Sequence, residues 1–226
     1  MSIRALLFDL DGTLVDTNDA HTDAWVEAFR RHGYAPDRSA VARAIGMGGD
    51  QLVAHVLDEA AEARDGDRLR DASSEAFEAL ARRRRFRLFP GVEDLLVEAR
   101  RRGLRLAIAT SASDDDLALT ADRTGVDLRE HVHVVTNASQ VEESKPEPDV
   151  LQAALGRLDL APEEAVFVGD TVHDAEAAAR AGVPFVGVTT GVWSEEAFRD
   201  AGARAVYRDT AALLAALDEV LALAEA

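Results

Sequence analysis

The sequence predicts an α/β fold: a doubly wound, Rossmann-like parallel sheet carrying an α-helical insert after its first strand. Three observations predict it. An apolar run at residues 5–8 gives way at once to Asp9-Leu10-Asp11-Gly12-Thr13, as a fully buried parallel strand does where it leaves the sheet through a glycine turn. Between about residues 15 and 89 the apolar positions recur only at helical spacing. After Gly91, short apolar runs alternate with amphipathic segments, the pattern of repeated strand and helix units that builds a parallel sheet covered on both faces.

Taken in order, a strand at 5–8 opens the chain. Residues 19–32 form a helix with Ala20, Trp25, Val26 and Phe29 on one side and Gly33 beyond its end. A second helix at 38–45 is closed by the turn Gly46-Met47-Gly48-Gly49, and Asp50 is placed to cap a third that runs to Leu57. A fourth spans 69–85, with Phe77 and Leu80 facing inward. Its terminal Arg82-Arg83-Arg84-Arg85 run reads as a solvated helix end whose cations complement the dipole. Phe89-Pro90-Gly91 then breaks the helical pattern. These residues define a cap domain at 15–89 set into a core domain of 1–14 and 90–226, with hinges near 14–17 and 86–91. In the core, helices at 92–102, 114–124, 148–158 and 174–181 alternate with strands at 104–109, 132–135, 166–168 and 185–188. A short strand at 205–207 precedes an amphipathic closing helix at 210–226.

The composition bounds what such a protein does. A chain of 226 residues is long enough for one large domain with an insertion and a full core. There is no cysteine, so no disulfide contributes. No basic leader, signal-type stretch or membrane-length apolar run is visible, and the expectation is a soluble cytoplasmic protein with no membrane partner. The formal charge of -17 argues against a nucleic-acid partner, because affinity for a polyanion comes largely from basic surface. An anionic small substrate is compatible with it when a cation and a few local basic groups meet that substrate. Lys145 is the sole lysine in the chain, a position where arginine has not been used. Monomer and dimer both stay open.

Ligands of open parallel sheets lie beyond the carboxyl ends of the strands, so each strand exit carries the chemical reading. Asp9 and Asp11 lie two apart on extended chain and point the same way. Two such carboxylates are tolerable together if a divalent cation is shared, or if their environments part their pKa values into an ionised group and an acid. At the exit of 104–109, Thr110-Ser111-Ala112-Ser113 offers hydroxyls and backbone amides that bind phosphoryl oxygens without adding charge, although Thr110 and Ser113 would also serve as helix caps. Ser144-Lys145-Pro146-Glu147-Pro148-Asp149 aims an ammonium from a proline-fixed backbone at a helix start. At the exit of 166–168, Gly169-Asp170-Thr171-Val172-His173-Asp174 places Asp170 and Asp174 one helical turn apart, with His173 expected at the surface.

These four stretches, in this order, resemble the four motifs of the haloacid dehalogenase superfamily. The first matches Asp-x-Asp-Gly-Thr, the second has Thr110 at its hydroxyl position, the third has Lys145 before proline, and the fourth matches Gly-Asp-x-x-x-Asp. The resemblance covers 5–190 and implies a phosphatase with a helical cap. It implies that Asp9 attacks phosphorus to form a phosphoaspartyl intermediate, and that Asp11 protonates the leaving group and then activates water. Magnesium, the expected cofactor, would be held by Asp9, Asp170 and Asp11, the last through its backbone carbonyl, with Asp174 and Thr13 one layer out. Lys145 and Thr110, helped by the Ser111 amide, would hold the phosphoryl oxygens. The cap would close over a small phosphorylated metabolite, a phosphosugar or a phosphoglycolate-like compound, with Thr17, His21 and Met47 facing it.

Neighbouring chemistries of the superfamily fit less well. Its dehalogenases lack a carboxylate at the Asp11 position, and its phosphonate hydrolases need a cap lysine that residues 15–89 do not contain. A β-phosphoglucomutase-like transferase is the nearest alternative, because Asp16-Thr17, His21 and Trp25 suit that enzyme's cap entrance. Against it, the turn at 45–49 offers Met47 where a mutase grips its distal phosphate with a basic group, leaving only Arg43 nearby. A non-catalytic binding protein on the same fold is the alternative from another class.

Overall fold

The computed structural model describes residues 2–225; Met1 and Ala226, at the ends of the expected first segment and closing helix, lie outside the described residues. Strand β1 (Ala5–Phe8) is the central strand of a six-stranded sheet, between β2 (Arg105–Ala109) and β4 (Ala165–Gly169). The outer strands are β3 (Val134–Thr136), β5 (Phe185–Val188) and β6 (Ala205–Tyr207), giving the order β3-β2-β1-β4-β5-β6. Every pairing is parallel, and Leu7 registers on Ala107 and Phe167. The strand order reverses at β1, so the crevice for a ligand opens between the carboxyl ends of β1 and β4.

Because successive side chains of a strand point to opposite faces, β1 feeds two cores at once. Leu6 and Phe8 pack with Ile108, Val166 and Val168 on one face, under helix α5 (Val92–Arg101) and the C-terminal helices. Ala5 and Leu7 pack with Ala107 and Phe167 on the other, under α7 (Asp149–Leu158) and α8 (Val172–Ala181). All four β1 residues are fully buried, each large one worth roughly 1.5–3 kcal/mol of transfer free energy, which pins the strand whose end carries Asp9.

Four helices fill the insert: α1 (Asn18–Arg31), α2 (Arg38–Ala44), α3 (Gly49–Val56) and α4 (Glu59–Ala81). They enclose an apolar cluster of their own around Trp25, Phe29, Val41, Leu52 and Leu69. The two strands of chain that connect insert and core run side by side: Asp16 N–H donates to Arg87 O at 2.9 Å and Phe89 N–H to Leu14 O at 3.0 Å.

Several elements differ from expectation. Helix α4 begins ten residues earlier than the apolar periodicity indicated, because its first turns bury Ala61 and Gly66, small residues that carry little hydrophobic signal, and Asp58 caps it by accepting from Ala61 N–H at 2.7 Å. It ends at Ala81, so the arginine run lies beyond the helix as an exposed turn, with Arg82 paired to Glu78 and Arg84 to Asp23. Strand β3 starts at Val134, since a tight turn at Leu128–His131 precedes it. A short helix α9 (Glu195–Asp200), which the sequence reading does not place, lies between β5 and β6, and the closing helix is broken at Ala216 into α10 (Thr210–Ala215) and α11 (Leu217–Leu221). Gly48, and not Asp50, is the cap of α3, because the Asp50 carboxylate is turned across to the core, where it accepts from Ser144 N–H at 3.2 Å.

Candidate active site

The turn after β1 determines where its carboxylates go. Asp9 stays in register with β4 through its N–H, which donates to Val168 O at 2.9 Å, and its side chain is buried at the sheet's edge. Gly12 has φ +79, and a Cβ there would collide with the Asn18 amide and the Asp170 carboxylate, so only glycine fits. The turn folds Asp11 away from its neighbour. Thr17 Oγ1 donates to Asp11 Oδ1 at 2.5 Å, and His21 Nε2 lies 3.2 Å from the same oxygen, while the imidazole stacks on Phe77 with centroids 3.9 Å apart. Burial pushes the Asp11 carboxyl upward, but His21 and Thr17 outweigh it and hold the group below the usual carboxylate range. Burial opposes charge on His21 too, yet Asp11, Asp116 and Asp9 raise its pKa. The pair therefore shares one proton that rests on the imidazole.

Behind Asp9, the exits of β1 and β4 converge with the loop before α7. Carboxylate oxygens of Asp9, Asp170 and Asp174 lie within 4.8 Å of one another, all buried. The Lys145 Nζ donates to Asp9 Oδ1 at 2.5 Å and to Asp174 Oδ1 at 2.8 Å, and stands 5.1 Å over the Phe167 ring. Lys145 is wholly buried, which disfavours its charge, but Asp174 and Asp9 raise its pKa and keep it an ammonium. One ammonium cannot balance three carboxylates. Burial, with Asp174 and Asp11 adding to it and Lys145 opposing, pushes Asp9 up to about 7, and burial with Asp174 and Asp9 raises Asp170 well above its ordinary value. An all-oxygen, buried and under-neutralised cluster suits a hard divalent cation.

Of the expected ligands, Asp9 and Asp170 are in this cluster, whereas the Asp11 carboxylate is turned out of it, so a part for Asp11 rests on its backbone carbonyl. Asp174, expected one layer out, has its carboxylate inside the cluster, because Thr171 and Asp174 cap α8 reciprocally at 2.7–3.1 Å and hold it there. Thr13 Oγ1 donates to Asp170 Oδ1 at 3.0 Å. Pro146 follows a cis peptide in the loop, and the residue at the entrance of α7 is Pro148.

A cleft of about 360 Å3 opens over Asp9 and Asp11 between core and insert. His21, Met47, Thr110 and Ser111 line it, whereas Thr17 reaches it only through Asp11. Thr110 Oγ1 accepts from Ala112 N–H at 3.1 Å and does not cap α6 (Asp114–Thr124), a part played by Ser113 and Asp116. The turn at 45–49 is seated on the core. Ser111 Oγ donates to Gly46 O at 3.3 Å and Gly48 N–H to Lys145 O at 3.3 Å. His173, expected at the surface, is buried beneath this turn, donating from Nε2 to Arg43 O at 2.8 Å. The Arg43 side chain is exposed and does not line the cleft.

Sequence reasoning missed the residues whose roles depend on distant chain. Arg70, Ser73 and Phe77 present one face of α4 to the cleft; all three lie within the expected 69–85 helix, where Phe77 reads as facing inward, but only the seating of the insert on the core turns that face to the cleft. Arg70 is held by Glu62 at 2.8 Å, Asp67 at 2.8 Å and Gly49 O at 3.0 Å. Asn18 and Gly191, which both touch Asp170, carry no local signal.

The chain and its architecture are similar to known proteins. A family model of haloacid dehalogenase-like hydrolases matches residues 6–188. The chain is 36% identical to Protein CbbY of Cereibacter sphaeroides over 189 residues, covering 80% of this chain and 82% of that one. It is 33% identical to the phosphoglycolate phosphatase of Rhodospirillum rubrum over 223 residues, covering 93% and 89%. A hydrolase from Pseudomonas syringae superposes with a TM-score of 0.88 at 29% identity, covering 96% of this chain and 98% of that one. With strand order, motif order and relatives in agreement, the chain belongs to the haloacid dehalogenase-like hydrolases and is a phosphoric monoester hydrolase of that family.

Proposed function

We propose that this protein is a magnesium-dependent phosphatase of a small phosphomonoester, a phosphosugar or a phosphoglycolate-like compound, working through a phosphoaspartyl intermediate. The observation that carries this reading is the pairing of Asp9, held by Lys145 at 2.5 Å on the floor of the cleft, with Asp11, turned to His21 two residues further on.

Residues 15–89 serve as the cap and residues 1–14 and 90–226 as the core. Asp9 attacks phosphorus in line, its oxygen forming the new P–O bond as the ester P–O bond breaks. The leaving alkoxide takes the proton held by the Asp11 and His21 pair. Asp11 then accepts a proton from water as that water attacks phosphorus, the acyl phosphate P–O bond breaks, and phosphate leaves with Asp9 restored. Lys145 holds Asp9 against an anionic substrate that its charge would otherwise repel, and Thr110 and Ser111 orient the phosphoryl oxygens without adding charge. Asp9, Asp170 and the Asp11 carbonyl would hold magnesium, with Asp174 and Thr13 steadying them, and when bound the ion neutralises the anionic groups that must approach one another. The cleft wall formed by Trp25, Met47, Ser73 and Phe77 suits a sugar or short polyol body.

The test is release of free phosphate from p-nitrophenyl phosphate with and without magnesium, followed by a panel of phosphosugars and short phosphorylated acids. Magnesium-dependent release with one class preferred is expected. No release from any of them would overturn the reading.

A further inference from the structure

Asn18 is the first residue of α1, and so belongs to the insert, yet it reaches the core's acidic cluster across 152 residues of sequence. Its Nδ2 donates to Asp170 Oδ2 at 2.7 Å, while Thr13 holds Asp170 Oδ1 at 3.0 Å, so each oxygen of this wholly buried carboxylate is oriented by one neutral donor. Glycines make the slot in which this happens. A Cβ on Gly12 would strike both the Asn18 amide and Asp170, and one on Gly191 would strike Asp170. Asn18 Oδ1 is buried and has no hydrogen-bond partner. A buried carbonyl oxygen in that state has lost its hydration with nothing in return, and such orphans call for something that donates to them.

We infer that Asn18 is a positioning residue for the divalent cation that Asp9, Asp170 and the Asp11 carbonyl would hold: Nδ2 holds Asp170 in its ligating orientation, and Oδ1 accepts from a water of the cation's shell. The inference rests on the magnesium reading above. Magnesium keeps several waters when protein carboxylates bind it, and each is a donor of the kind the orphaned oxygen lacks. Thr13 already occupies the other Asp170 oxygen, so no other described side chain donates to the side that Asn18 covers. Since Asn18 lies on the insert and Asp170 on the core, cation affinity and seating of the insert are thermodynamically linked, each strengthening the other by the same factor.

The experiment titrates magnesium alone, without substrate, against wild type, Asn18→Ala and Asn18→Leu, read by calorimetry and by the magnesium-induced rise in thermal midpoint. Asn18→Leu keeps the same number of side-chain heavy atoms and the branch at Cγ and deletes both polar atoms, which guards against a variant that merely leaves a gap. Both variants are expected to bind magnesium ~10- to 100-fold more weakly, the usual effect of removing a group that orients a metal ligand, and to regain near wild-type kcat at saturating magnesium. A dissociation constant within about twofold of wild type in either folded variant overturns the inference, whatever happens to stability. Wild type that binds no magnesium overturns the magnesium reading itself, a result distinguishable from the first.

Discussion

Lys145 Nζ lies 2.5 Å from Asp9 Oδ1, an ion pair closed between residues 136 apart in sequence and sealed from solvent on both sides. It decides the electrostatics of the whole site. Of the three buried carboxylates, Asp9 and Asp174 share this one ammonium and Asp170 is held only by neutral donors, so each change in their number or charge reads out on stability and on turnover together.

Removing the ammonium leaves the carboxylates with no cation. Lys145→Met is expected to destabilise the metal-free protein by about 3–5 kcal/mol, the range for stripping one partner from a buried pair, and to abolish turnover. Urea denaturation at neutral pH measures it, and a loss under about 1 kcal/mol would contradict the pairing.

Removing the charge of Asp9 has the opposite effect on stability. Asp9→Asn deletes the nucleophile and relieves repulsion with Asp174, while Lys145 keeps its 2.8 Å bond to Asp174. Turnover is expected to fall at least ~1,000-fold, with the thermal midpoint unchanged or raised. Retained activity would exclude the covalent mechanism.

Chelation is expected to abolish phosphate release, and magnesium to restore it. Burial pushes Asp9 to about 7 in the metal-free protein, so below that pH the carboxyl carries a proton that a cation must displace. Magnesium affinity is therefore expected to weaken as pH falls from 8 to 6, with proton release on binding seen as a buffer-dependent calorimetric heat. Binding with no proton release at pH 6 would contradict this assignment.

The Asp11 and His21 pair gives a pH window. The lowered Asp11 pKa contributes stability that is present above the ordinary 3.8 and lost as pH falls through the folded value. The raised His21 pKa contributes stability that is present below the ordinary 6.5 and lost as pH rises through the folded value. Both are complete between those two pH values. His21→Ala is expected to cost most there, about 1–3 kcal/mol for a charge-assisted hydrogen bond, and less on either side. A cost independent of pH would show that the loss comes from stacking on Phe77 alone.

Incubated with β-glucose 1-phosphate and a trace of the bisphosphate, the protein is expected to accumulate free phosphate and no glucose 6-phosphate. A mutase must grip a second phosphate in its cap. Here Arg70, the arginine lining the cleft, is already neutralised by Glu62 and Asp67, and Met47 stands in the turn. Accumulating glucose 6-phosphate would establish the transferase instead.

Much of this was legible because it is local. The apolar run before Asp9, the glycine that lets the chain turn, and the strand exits at Thr110 and Asp170 are each encoded within about six residues, and periodicity is a sufficient signal at that range. Helix α4 escaped at its start because Ala61 and Gly66 bury small surfaces. Asp50 has the composition of a cap, and only the seating of the insert on Ser144 shows that its carboxylate is committed elsewhere.

By itself, then, the sequence determined the layered α/β order, the insertion after the first strand, and which side chains stand at the sheet's carboxyl edge. Backbone periodicity and turn chemistry are short-range properties that one stretch of chain carries alone. Tertiary structure decided how those side chains divide their work: Asp11 to His21 and Thr17, Asp174 into the carboxylate cluster beside Asp9, Asn18 across to Asp170. Those allocations are settled by burial and Coulomb energy among groups brought together from distant chain, where a carboxylate takes whichever partner best offsets its lost hydration.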